Sequence, residues 1–94
     1  MKGSDIAALR QALGLDPFAF AAVLGVHVSS VYRWETRRVT VDGIQALVLE
    51  GLWSRRTQDL TDLGEEIRRC LSSGGGTLRA LGIVIRFLER NHHG

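Results

Sequence analysis

The sequence predicts an all-α fold: a compact helix bundle containing a helix-turn-helix, followed by a C-terminal helical hairpin. Three observations carry this. The chain has one proline in 94 residues and few β-branched runs, which disfavours a sheet. Its apolar residues recur at spacings of three and four, the period of a helix with one buried face. Its breaks fall at Asp-Pro and Gly positions that start and stop helices. With 45% hydrophobic and 23% charged residues, the composition is that of a folded domain rather than a disordered chain.

The first helical pattern runs from Asp5 to Leu13, with Ser4 as cap, Ile6, Leu9 and Leu13 on one side, and Gly14 suited to a left-handed close. Asp16-Pro17 opens a second, short helix, because proline lacks the N–H that a first helical turn would orphan. Phe18, Ala21, Ala22 and Leu24 mark this helix, which must stop near Gly25. A third opens at His27 or Val28 and runs through Trp34, Glu35 and Thr36. Val39-Thr40 breaks the pattern, and Thr40 is the expected cap of a fourth, apolar helix from about Val41 to Trp53. Leu60, Leu63, Ile67 and Leu71 stripe a fifth helix. Ser72 to Gly76 is a glycine-rich turn, and Thr77 is expected to cap a sixth helix carrying Leu78, Leu81, Val84, Ile85 and Leu88. Residues 1–56 thus form one core, and residues 57–94 a hairpin packed on it.

Charge is mild in total and local in distribution. Twelve basic and ten acidic residues give +2, and eleven of the twelve are Arg. The excess lies before residue 57, with Arg33, Arg37 and Arg38 close together. Arginine is suited to phosphate and to guanine edges. One Cys excludes a disulfide framework. The absence of an apolar N-terminal run and of any long uncharged stretch leads us to expect a cytoplasmic protein with no membrane partner.

Nothing in the pattern points to an enzyme, a cofactor or a metal. The aspartates fall mostly at helix starts, where a carboxylate complements the dipole. Cys70 sits between core positions 67 and 71, beside Arg68 and Arg69, and reads as a small core residue. His92 and His93 have no further ligand nearby in sequence, and no phosphate loop or nucleophile elbow occurs. The informative segment is Leu15 to Arg38. Its third helix turns Val31 and Trp34 one way. Val28, Ser29, Tyr32, Arg33 and Thr36 turn the other way, a set that fits base edges better than plain solvent.

The run Arg10 to Glu35, with Phe20-Ala21, Leu24-Gly25-Val26, Val31 and Arg33-Trp34-Glu35, resembles the DNA-binding domain of the Xre/Cro (lambda-repressor-like) helix-turn-helix family over residues 5–53. The resemblance implies a sequence-specific DNA-binding regulator, a prokaryotic or phage repressor of its own or a nearby operon, binding double-stranded DNA at a palindromic operator as a homodimer. It implies base contacts from Val28, Ser29, Tyr32 and Arg33. Pro17, Ser30, Thr36, Arg37 and Arg38 would lie along the DNA backbone, with Arg55 and Arg56 as further phosphate contacts. It also implies a structural pair between Arg10 and Glu35. Three departures stand out: Pro17 replaces a backbone-contacting Gln or Glu, Arg37 stands where Gly usually ends the recognition helix, and His27 replaces a Ser or Thr cap. At Arg37 we therefore expect the helix to run on or to end in strain. The hairpin lies outside the resemblance. We assign it the dimer interface through Leu78, Leu81, Val84, Ile85 and Leu88. The alternative is an antitoxin-like adaptor whose hairpin grips a protein partner.

Overall fold

Six helices follow one another: α1 (Gly3–Leu13), α2 (Pro17–Leu24), α3 (Val28–Thr36), α4 (Gly43–Trp53), α5 (Thr61–Ser72) and α6 (Thr77–Arg90). They are seen in a computed structural model that describes residues 1–37 and 40–90. Two sharp turns are set by glycine. Gly14 and Gly25 adopt φ of 70° and 71°, a left-handed conformation that costs a side chain roughly 1 kcal/mol or more. Their N–H groups close the last turns of α1 and α2 onto the carbonyls of Arg10 and Gln11, and of Ala21 and Ala22. Between these turns Asp16 caps α2, its Oδ1 accepting from the Ala19 N–H at 2.7 Å, with Pro17 in the first helical position. The chain bends by 98° from α1 to α2.

Several boundaries differ from the sequence expectation, each for a local reason. α1 starts at Gly3, because the Lys2 N–H finds Asp5 Oδ2 at 2.9 Å, so Ser4 is inside the helix and is not its cap. α4 starts at Gly43 with Asp42 in the cap position, two residues later than expected, and Thr40 does not cap it. Thr77 is the first residue of α6, and its hydroxyl donates to the Ala22 carbonyl at 2.6 Å, tying α6 to the end of α2. α3 neither runs on nor ends in strain at Arg37: that residue is extended, at φ −126° and ψ 160°, and its N–H reaches the Arg33 carbonyl.

One apolar core runs through all six helices. α1 supplies Ile6, Leu9 and Leu13; α2 supplies Phe20, Ala21, Val23 and Leu24; α3 supplies Val31 and Trp34. α4 adds Val48, Leu49 and Leu52, α5 adds Leu63, Ile67 and Cys70, and α6 adds Ala80, Ile83 and Val84. α5 and α6 pack on each other, α2 lies between α3 and α6, and α1 packs on α3 and α5. The hairpin is therefore a wall of the core. α5 comes close to α1 because position 64 is glycine: a Cβ there would collide with the Leu13 carbonyl. Arg68 fixes the same junction, donating to the Gly14 carbonyl at 2.8 Å, at the negative end of α1. Among the described residues no single helix is long and apolar enough to cross a membrane.

Candidate nucleic-acid interface

α3 is held from both ends. At its start the His27 ring replaces the usual hydroxyl: Nδ1 accepts from the Ser29 N–H at 3.1 Å, with Ser29 Oγ 2.9 Å away. At its end Glu35 accepts two bonds from Arg10, from Nε at 2.8 Å and from Nη2 at 3.2 Å. The third donor of Arg10, Nη1, reaches the Leu15 carbonyl at 3.1 Å. One guanidinium thus joins α1, the α1–α2 turn and α3. The Glu35 hydrogen bond is the largest influence on Arg10 and raises its pKa above the ordinary arginine value. With side chains 15% and 11% exposed, the pair is half-sheltered from water. The expected Arg10–Glu35 pair is present.

Between these anchors α3 is sharply two-sided. Val31 and Trp34 enter the core, while Ser29, Tyr32, Arg33 and Thr36 stand in solvent. Tyr32 is 46% exposed. Arg33 Nη2 leans on Ser30 Oγ at 3.3 Å, a long bond that biases the guanidinium without burying it.

Several residues of the expected site are placed otherwise. Val28 is half-buried against the core, so the outward face of α3 is Ser29, Tyr32 and Arg33 rather than all four base-contact positions. The Thr36 hydroxyl donates to the Tyr32 carbonyl at 2.6 Å, which commits its only proton inside the helix and leaves none for a phosphate. Arg55 donates to the Gly51 carbonyl at 2.8 Å and to the Leu88 carbonyl at 3.1 Å, bracing α4 against α6. Arg56 donates to the Trp53 carbonyl at 2.8 Å and lies 4.4 Å from the centroid of the Trp53 ring, a cation–π contact. Both arginines therefore serve the C-terminal end of α4. Pro17 is half-buried, Arg37 is exposed directly after α3, and Arg38 lies outside the described residues.

The five residues assigned to the dimer interface divide in the same way. Val84 is 1% exposed and belongs to the chain's own core, which removes it from any outer surface. Leu81 and Leu88 pack partly against the core, and Leu78 and Ile85 are exposed. On α5, Leu63 and Ile67 are buried in the core and Leu71 packs partly against it, so that helix has little apolar surface to offer.

Sequence reasoning missed Gly3. A Cβ there would stand 2.6 Å from the Trp34 carbonyl oxygen and 2.7 Å from that of Glu35. Only glycine lets the positive start of α1 abut the negative end of α3. The sole signal was a glycine just ahead of the first apolar periodicity. Comparison of the chain with protein-family models, with curated proteins and with solved structures finds no match.

Proposed function

We propose that this protein is a sequence-specific, double-stranded-DNA-binding regulator of the Xre/Cro type, acting in a prokaryotic or phage-infected cytoplasm as a homodimeric repressor. The observation that carries the reading is the two-sidedness of α3. Its apolar half is spent on the core, and its outer half offers hydroxyls and a guanidinium with no apolar cover. A helix packed on the helix before it and reached through a glycine turn suits insertion into a major groove. Arg33 reads a base there, by a bidentate contact to guanine, with Ser29 and Tyr32 beside it. Arg37, at the exit from α3, holds a phosphate.

The experiment has two stages: selection of bound sequences from a random duplex pool, then salt titrations on the selected and a scrambled duplex. Arg33→Ala weakens the selected site by about 1–3 kcal/mol and leaves the scrambled one nearly unchanged. Arg37→Ala weakens both and lowers the salt slope by about one unit. No enrichment in the selection, or an equal loss on both duplexes for Arg33→Ala, overturns the assignment.

A further inference from the structure

We propose that the groove between the outer faces of α5 and α6 binds a small phosphate ester, its phosphate among Arg79, Arg86 and Arg90 and a hydroxyl of the same molecule against Glu66. The inference goes beyond the DNA-binding reading and does not depend on it.

α5 and α6 pack on each other as the two arms of the hairpin. Outside their contact line runs a groove of about 370 Å³, lined by Glu66 and Cys70 from α5 and by Arg79, Ile83, Arg86 and Arg90 from α6. Cys70 and Ile83 are each 8% exposed and form its floor. A Cβ at Gly75 would collide with the Cys70 sulfur and would lie 3.3 Å from Arg79 Cδ. The glycine turn therefore closes one end of the groove, and the stem of Arg79 rests beside it.

Charge identifies the occupant. The three arginines, at spacings of seven and four, fall within about 40° of one another around α6. All three are exposed, and none is ion-paired among the described residues. Arg86 Nε makes a long bond, 3.4 Å, to the Gly82 carbonyl of its own helix. Glu66 stands on the opposite wall, outside ion-pair range of all three. Like charges one turn apart oppose each other on a helix, and an anion in the groove relieves that opposition.

Phosphate suits the site best. A guanidinium presents a planar fork of donors that matches it. A phosphate monoester carries a charge of roughly −1.5 to −2 near neutral pH and three acceptor oxygens. Glu66 then accepts from a hydroxyl of the ester, which inorganic phosphate cannot supply in the same place. Nucleic acid fits poorly, because a long polyanion crossing α5 meets the exposed carboxylates of Asp62, Glu65 and Glu66. The volume is near the lower end of the range for small-molecule clefts, about 300–1,000 Å³. α1 and α2 stand between the hairpin and α3, so DNA on α3 leaves the groove open.

The test is isothermal titration calorimetry of the full chain at low salt, with glycerol phosphate, inorganic phosphate and glycerol as probes and circular dichroism as the fold control. Glycerol phosphate is expected to bind at one site, inorganic phosphate more weakly, and glycerol not at all. Arg79→Gln and Arg86→Gln each weaken glycerol phosphate by about tenfold with unchanged helicity. Arg69→Gln, exposed on α5 outside the groove, leaves binding unchanged, and Glu66→Ala brings the two phosphates to equal affinity. No heat from glycerol phosphate up to about 10 mM, or an equal loss for Arg69→Gln, overturns the site. Equal affinity of the wild type for the two phosphates overturns the ester assignment. Displacement of glycerol phosphate by a scrambled duplex gives the groove to nucleic acid instead.

Discussion

Arg10 makes three connections across two helices and a turn: two bonds to Glu35 and one to the Leu15 carbonyl. The consequences of breaking the pair are unequal. Glu35→Gln keeps an acceptor for Arg10 and loses the charge attraction, whereas Arg10→Met leaves a half-sheltered carboxylate and an unbonded carbonyl behind. We expect about 1 kcal/mol for the first change and about 3 kcal/mol for the second, measured by urea denaturation. Equal losses would mean that the Leu15 bond contributes nothing. The spacing of 25 residues between Arg10 and Glu35 carries no periodic signal, so the pair was legible only through a family resemblance. Gly3 and Gly64 were legible in neither way, since what excludes a Cβ at each is a carbonyl brought in from a distant part of the chain.

At the scale of elements, helix starts depend on which side chain reaches the orphaned N–H groups first. Asp16 was readable because a carboxylate followed by proline leaves one arrangement open, and its bond to Ala19 forms as the local chemistry dictates. Ser4 and Thr77 were equally plausible as caps but were displaced, by the Lys2 N–H bond to Asp5 and by a tertiary bond to Ala22, while at α4 Asp42 takes the cap position with no side-chain bond and Thr40 lies outside it. α5 shows a further variant: Asp59 sits two residues ahead of Thr61 and accepts its N–H at 2.9 Å. The Thr61 hydroxyl, then the Thr61 N–H, hold the Asp59 carboxyl below its ordinary value. Because the folded value is depressed, this anchor is fully present above the ordinary carboxylate range and is lost as the pH falls through the lowered value. An NMR titration is expected to place the Asp59 midpoint below that of free aspartate, with the Thr61 amide shifting in step. A midpoint at or above the free value would remove the anchor from the account of α5.

For the whole molecule, the decisive fact is that the hairpin shares the core. Ala80 and Val84 are 0% and 1% exposed, and Ile67 is 0%. A chain ending at Ser72 would uncover the faces of α2 and α5 that α6 now covers. Each fully buried aliphatic side chain contributes about 1.5–3 kcal/mol, and a domain this small has roughly 5–10 kcal/mol in hand. The truncated protein is expected to lose cooperative thermal unfolding by circular dichroism. A sharp transition in that variant would show that residues 1–72 fold without α6 and would remove α6 from the core.

The sequence by itself determined that the chain is helical, where most helices lie, which turns are glycine-closed and which side of α3 is apolar. These follow from periodicity and from backbone chemistry within a few residues, which act before any tertiary contact forms. Tertiary structure alone decided that Arg55 braces α4 against α6, that Val28 and Val84 turn inward, and that exposed apolar side chains remain on α4 and α6. The physical reason is that an apolar stripe marks only the side of a helix that avoids water. How much of that stripe the chain's other helices cover depends on packing distances set at positions such as Gly51 and Gly64, far apart in sequence and adjacent to other elements in space.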